Sequence, residues 1–168
     1  MVREISSGGV VLRQISDTWH VALIEPQKES PATAKAPRKR GRATLALPKG
    51  LVDPGETAPV TAIREVHEET GIVAELVAKL ADIKYVYIRS WGDGERVFKI
   101  VSFYLLRYRS GQIDDITPEM RIEVKRALWV PLAEASQHLM YSNERKVLRL
   151  AEDYLATRGL QAEIVAPS

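Results

Sequence analysis

Two periods of apolar and polar positions succeed each other along this chain. Residues 5–13 (ISSGGVVLR) end in a short apolar run and residues 19–25 (WHVALIE) alternate, which predicts two strands joined by a turn near Ser16 and Asp17. Gly8 and Gly9 predict a bulge, a close approach of another backbone, or simple strand flexibility. Residues 44–48 (TLALP) read as a short strand that delivers the chain into a turn at Gly50. Residues 73–87 and 97–108 are rich in β-branched and aromatic side chains and read as long strands, with Trp91-Gly92-Asp93-Gly94 as the hairpin signal between them. Tyr85 and Tyr87 share one face by the period of two, as do Phe98, Ile100 and Ser102. Such aromatics serve mainly as sheet packing, with one or two available to stack on a base.

The period changes to that of a helix over residues 58–70, with Thr57 as N-cap, Pro59 tolerated in the first turn and Gly71 ending it. Ala62, Ile63, Val66 and Thr70 form the side that can pack. A polar connection over residues 110–118 leads to residues 119–129, where RALWVP marks a last strand, and residues 131–139 read as a short helix. Ser142 or Asn143 is expected to cap a final helix whose Val147, Leu148, Ala151, Tyr154 and Leu155 make a core stripe. No internal repeat or domain boundary interrupts this order, so the expectation is one domain over residues 1–168, a mixed sheet with helices on its faces.

Composition narrows the class. The 168 residues are 45% hydrophobic and 27% charged, as in a globular chain large enough to bury a core. No apolar run approaches the roughly 20 residues that span a bilayer, and Met1-Val2-Arg3-Glu4 lacks the apolar core of a signal peptide, so a cytoplasmic location without membrane contact is expected. With no cysteine, disulfides and thiolate metal sites are excluded, and any metal must be held by oxygen or by the three histidines.

The formal charge of +2 is unevenly distributed. Residues 28–42 lie in a proline-containing stretch without apolar periodicity that reads as a loop over residues 26–43, and they carry a net +5, which leaves the rest of the chain at −3. Two readings stand side by side: a solvated surface insertion, or an electrostatic collar in which Arg38, Lys39, Arg40 and Arg42 face a polyphosphate. Nucleic-acid binding is a third reading, but the segment has no interleaved aromatics and no recognition helix accompanies it.

On the central helix Glu65, Glu68 and Glu69 stand at i, i+3 and i+4, so their carboxylates converge on one face. Each like-charged i,i+4 pair costs a few tenths of a kcal/mol on an isolated helix. A divalent cation reverses that sign, and hard oxygen ligands suit Mg²⁺ or Mn²⁺ completed by water and phosphate oxygens. An ordinary solvated acidic face is the alternative. Arg64 can pair with a carboxylate and fix its rotamer, whereas His67 reads as surface.

The wider spacing distinguishes these readings. Gly50, five residues, Glu56, seven residues, Arg64-Glu65-Val66, one residue, Glu68-Glu69, one residue, and Gly71-Ile72 resembles the Nudix box at every fixed position. Leu47-Pro48-Lys49 before it and Trp129-Val130-Pro131-Leu132 after it also resemble Nudix hydrolases. The resemblance implies a Nudix fold, an α/β/α sandwich of the α+β type around a central mixed sheet, that hydrolyses a nucleoside diphosphate linked to another moiety. It implies a loop–helix–loop that binds divalent metal: Glu65, Glu68 and Glu69 as ligands or, for one of them, the base that activates water, Glu56 as support, Arg64 orienting a glutamate, the Gly50 carbonyl as a further ligand, and Lys49 facing phosphates. Some members take a further acid from beyond the box, for which Glu123 is the first candidate and Glu119 the second. LPKGLVDPGE followed by EVHEETG looks most like the branch acting on dinucleoside polyphosphates such as diadenosine tetraphosphate, and on oxidised nucleoside triphosphates. Diphosphoinositol polyphosphates, ADP-ribose or nucleotide sugars are alternative substrates. A non-catalytic nucleotide-binding regulator is an alternative of another class, although degenerate boxes usually lose a metal glutamate and this one has lost none.

Overall fold

The computed structural model describes residues 2–27, 43–89, 92 and 94–160. A six-stranded mixed sheet forms the centre, built from β1 (Val2–Ile15), β2 (Thr18–Pro26), β3 (Lys49–Leu51), β4 (Val73–Ile88), β5 (Arg96–Ser110) and β6 (Val124–Pro131). The strand order is β4-β5-β1-β2-β6, with β3 paired to β1. β1 and β5 run parallel from Val2↔Val97 to Leu12↔Arg107, and the other pairs are antiparallel. The expected turn at Ser16 and Asp17 closes the β1–β2 hairpin with φ of 50° and 66°, the mirror-image turn that suits two-residue hairpins.

Helices cover both faces. α1 (Ala58–Thr70) lies on one face, where Ala62 and Val66 pack on Val11, Ala22, Tyr104 and Leu106. α2 (Leu132–His138) and α3 (Ser142–Arg158) lie on the other, where Ala135, Val147, Leu148 and Ala151 meet Val10, Leu12, Val21, Leu23, Val101, Phe103 and Leu105. The predicted stripe of the final helix is therefore core, with Tyr154 and Leu155 at its margin. Because β1 and β5 are covered twice, their middles read as continuous apolar runs instead of alternating. Burial of Val66 alone contributes roughly 2 kcal/mol to holding α1 in place.

The glycine pair in β1 serves close approach on both faces. A Cβ at Gly8 would fall 2.3 Å from the Pro48 carbonyl oxygen, and one at Gly9 would fall 2.6 Å from Leu106 Cδ1 and 2.9 Å from Val66 Cγ2. Gly8 thus admits the segment that enters the central turn, and Gly9 admits the helix that leaves it.

Some local expectations shift. Residues 44–48 do not form a strand: Leu45 and Ala46 make only isolated bridges to Leu139 and Ile24, and regular pairing starts at Lys49. Pro48 has no N–H to give a ladder and contributes only its carbonyl, which accepts from Gly9 N at 3.2 Å. α1 begins and ends where the sequence places it, but the Thr57 side chain makes no cap bond. Tyr141 occupies the N-cap position of α3 with no side-chain cap bond, so neither Ser142 nor Asn143 plays that part. At the β4–β5 connection Gly92 and Gly94 have φ of 70° and 73° and Arg89 N donates to Glu95 O at 3.0 Å, while Trp91 and Asp93 lie outside the described residues. Among the described residues no helix is long and apolar enough to cross a membrane.

Candidate active site

The loop between β3 and α1 is tied down before any chemistry is considered. Ser7 Oγ donates to Ala58 O at 2.6 Å, fastening the start of α1 to β1. At the other end Gly71 takes φ 84°, where its N–H reaches His67 O at 2.9 Å and ends the helix in the left-handed conformation that glycine adopts without strain. A side chain there would also run into the backbone of Gln112 and Asp115.

Arg64 is the hub of the loop. Its Nε donates to Glu56 Oε2 at 2.7 Å and its Nη2 to Glu56 Oε1 at 2.9 Å, a two-point pairing. Nη1 donates to Glu65 Oε1 at 2.9 Å and to Glu68 at 3.1 Å, and Nη2 also reaches Leu51 O at 3.0 Å. Glu56 accepts further bonds from Thr61 Oγ1 at 2.8 Å and Asp53 N at 3.1 Å. The Arg64 guanidinium, followed by the Thr61 hydroxyl, holds the Glu56 carboxyl down to about 2. Glu56 and Arg64 therefore stand where the sequence assigns support and orientation.

Glu65 and Glu69 are buried, at 8% and 6% exposure, while Glu68 lies nearer the surface. Burial and then the Glu68 charge push the Glu65 carboxyl up to about 7. Burial pushes Glu69 up to about 8, opposed by the bond that its Oε1 accepts from Lys49 N at 2.9 Å and reinforced by the charges of Glu65 and Glu123. Glu123 thus joins the electrostatics of the cluster across nearly sixty residues of sequence, whereas Glu119 is an exposed residue at the start of the 3₁₀ turn Met120–Ile122. Gly50 supplies the space: a Cβ on it would lie 2.2 Å from Glu65 Cδ. His67 is exposed, as expected.

Among the described residues no three histidine, aspartate or glutamate side chains form a ready metal cage. Arg64 Nη1 spans Glu65 and Glu68, and Glu69 is turned toward the Lys49 amide. The donor chemistry nonetheless fits a hard divalent cation: the donors are oxygens, and two buried carboxylates whose ionisation is opposed by burial and by each other would be relieved by one.

The cavity beside these acids is lined by Ser6, Lys49, Gly50, Glu69, Lys99, Glu123 and Tyr141. A second cavity shares Lys49 and Tyr141 and continues over Ile83, Tyr85, Val101, Phe103 and Glu144. Lys49 Nζ sits 3.0 Å from Glu144 Oε2 and 5.2 Å from the centre of the Tyr141 ring. Burial works against the Lys49 charge, but the Glu144 carboxylate together with Tyr141 and Glu69 outweighs it and the net shift is upward. Lys49, expected to face phosphates, is thus at the cleft with its ammonium engaged by a carboxylate. Lys99 projects from β5 and forms no ion pair with a described residue; burial and then the Lys49 charge lower its pKa. Two neighbouring ammonium groups in one cleft are the counterpart of the acid cluster.

Tyr85 lines the second cavity, as a base-stacking role requires. Tyr87, expected beside it, follows on the same strand with its ring 6.3 Å from that of Tyr85, and its hydroxyl donates to Glu4 Oε1. Burial and then the Glu4 bond push the Tyr87 hydroxyl up to about 12. Arg38, Lys39, Arg40 and Arg42 lie outside the described residues. The flanks of their segment do reach the site: Pro26 and Ala46 adjoin the acid-end cavity in strand and bridge, and Gln27 N donates to Glu123 O at 2.9 Å. Lys99, Tyr141, Glu144 and Ser6 went unnoticed in the sequence. Only Lys99 carried a signal, as a lysine at an inward step of the alternation Val97, Lys99, Val101, Phe103.

A buried acidic helix edge thus stands opposite a wall of lysines and aromatic rings. Residues 16–151 match the NUDIX domain, and the chain belongs to the Nudix family. It is 38% identical over 157 residues to a mutator protein, MutT4, of Mycobacterium tuberculosis (strain CDC 1551 / Oshkosh), covering 92% of this chain and 56% of that protein. It is 38% identical over 148 residues to the 8-oxo-(d)GTP phosphatase of Mycolicibacterium smegmatis, covering 86% of this chain and 40% of that one. The chain therefore spans about half the length of these relatives. The asymmetrical bis(5'-nucleosyl)-tetraphosphatase of Rattus norvegicus is 30% identical over 116 residues, 66% of this chain and 71% of that protein. Among solved structures, a C. elegans Ap4A hydrolase binary complex superposes with a TM-score of 0.65 at 21% identity over 91% of this chain and 98% of that one, which shows the common fold.

Proposed function

We propose that the protein is a metal-dependent pyrophosphohydrolase that cleaves a diphosphate linkage in a nucleoside polyphosphate, a dinucleoside polyphosphate such as diadenosine tetraphosphate or an oxidised nucleoside triphosphate. The observation that carries this reading is the pair of buried carboxylates, Glu65 and Glu69, with Glu123 beside them, facing Lys49 and Lys99 across one cleft.

Glu65, Glu68, Glu69, the Gly50 carbonyl and Glu123 would hold Mg²⁺ or Mn²⁺. The ion supplies charge neutralisation on the diphosphate and a lower pKa for water. The chain does the rest. Arg64 fixes the Glu65 and Glu68 carboxylates, and Glu56 fixes Arg64. One of Glu65, Glu68 and Glu69 would take the proton of the attacking water while the others hold the ion. Lys49 and Lys99 bind phosphate oxygens, and the walls formed by Tyr85 and Tyr141 accept a base. Arg38, Lys39, Arg40 and Arg42 would add charge over a long phosphate chain, a role supported by the Gln27 bond to Glu123 at the start of their segment.

The names of the relatives favour the two substrate classes in parallel, oxidised guanine nucleotides and bis-nucleosyl tetraphosphates. A panel of 8-oxo-dGTP, dGTP, diadenosine tetraphosphate, ADP-ribose and nucleotide sugars with Mg²⁺ or Mn²⁺ tests the reading. Turnover of the first three is expected. Turnover confined to ADP-ribose or nucleotide sugars overturns it, and binding without turnover of any of them favours a regulator.

A further inference from the structure

Glu144 is buried at 3% exposure in the first turn of α3, and both of its carboxylate oxygens are used. Oε1 accepts from Leu47 N at 2.7 Å and Oε2 from Lys49 Nζ at 3.0 Å. Lys49 N in turn donates to Glu69 Oε1 at 2.9 Å. Between these bonds the Pro48 carbonyl accepts from Gly9 N. Three consecutive residues, Leu47 to Lys49, are thus gripped by a carboxylate of α3 on one face of the sheet, by β1 in the middle, and by a carboxylate of α1 from the other face. A buried carboxylate needs partners for both oxygens wherever it stands; here the backbone amide and the side-chain ammonium that satisfy it both belong to the entry of the active-site loop.

We propose that Glu144 is a positioning residue with two separable effects, resting on the reading of the cleft as a nucleotide hydrolase site. Through Leu47 N it sets the backbone from which the Lys49 amide holds Glu69, and so the geometry that determines turnover. Through Lys49 Nζ it neutralises part of the cationic wall, so the cleft binds phosphate less tightly than its lysines alone would. Tyr141, three residues earlier, lines both cavities, which places the same turn of α3 against the nucleotide.

Two variants separate the effects. Glu144→Gln keeps an acceptor for Leu47 N and removes the charge that engages Lys49; KM for a nucleoside polyphosphate is expected to fall about threefold with kcat held within about twofold. Glu144→Ala removes both acceptors; kcat is expected to fall about tenfold or more, because small displacements of catalytic groups are costly. Amide hydrogen exchange supplies a readout independent of activity: Leu47 and Lys49 should exchange at least about tenfold faster in Glu144→Ala and at the parent rate in Glu144→Gln. An unchanged or higher KM in Glu144→Gln, or parent-like exchange at Leu47 and Lys49 in Glu144→Ala, overturns the proposal. If Glu144→Ala does not fold, the KM of Glu144→Gln decides. If the parent protein hydrolyses nothing, the hydrolase reading fails, and exchange together with the affinity of Glu144→Gln for inorganic triphosphate still decides the role of Glu144.

Discussion

The acid end of the cleft comes almost entirely from one loop and helix, and the cationic end comes from four distant places. Glu56, Arg64, Glu65, Glu68 and Glu69 share fourteen residues of chain; the Arg64 guanidinium joins Glu56, Glu65 and Glu68, the Lys49 amide holds Glu69, and Glu123 arrives from elsewhere. Lys49, Tyr85, Lys99 and Tyr141 arrive from the entry to β3, from β4, from β5 and from the residue before α3. At the first end most carboxylates are tied to one another through neighbouring residues of chain; at the second each group belongs to a different element. Under the proposed function, reaction type would reside in the first end and substrate choice in the second.

The sharpest way to break this division is at Glu69. Glu69→Gln keeps an oxygen for the Lys49 amide and should lower kcat by about two orders of magnitude or more with little change in KM, measured as phosphate release with Mg²⁺ or Mn²⁺. An effect on KM alone would place Glu69 in recognition. At the other end Lys99→Ala should raise KM about tenfold while kcat changes less than about threefold, because one of two facing ammonium groups is lost from the ground state and transition state alike. Replacing Arg38, Lys39, Arg40 and Arg42 together with alanine should raise KM about threefold or more for a tetraphosphate and little for a diphosphate; equal effects would mark the segment as a plain surface insertion.

The smallest effect concerns stability in the absence of divalent ions. Glu65 and Glu69 have folded-state proton affinities raised to about 7 and about 8, above the ordinary value of 4.5. For such groups the favourable contribution is complete at low pH and is lost as pH rises through the folded values. Thermal midpoints measured with chelator should therefore decline between pH 5 and 8.5, and Glu69→Gln should flatten that decline by about a few degrees. A parallel decline in both proteins would show that the acid end carries no stored repulsion.

The same division explains what could be read from sequence. The helix from Ala58 to Thr70, its stop at Gly71 and the shared face of Glu65 and Glu69 depend on spacings of three, four and seven residues, and all were legible. The apolar and β-branched runs of β2 and β5 and the stripe through Leu148 and Ala151 likewise gave the layers. Lys99 was not legible as a site residue because its role depends on β5 lying parallel to β1, a pairing of residues about ninety positions apart. Glu144 looked like any acid in a helix's first turn, since its partners lie 95 and 97 residues away. Residues 44–48 carried an apolar pattern that favours strand, but Pro48 and the carbonyl contact over Gly8 held the segment to single bridges.

One edge of β1 is shared, with β3 paired at Ser6–Gly8 and β2 paired at Leu12–Ile15. The chain leaves β2 at Gln27, where its amide is held by Glu123, and is back in register by Ala46, whose N–H donates to Ile24 O at 2.9 Å. Both ends of the intervening segment are therefore clamped by bonds that do not depend on its length, and lengthening a surface connection costs little in closure entropy. Changes in the length or charge of residues 28–42 are therefore expected to leave the register of β3 and the bond from Lys49 to Glu69 as they are.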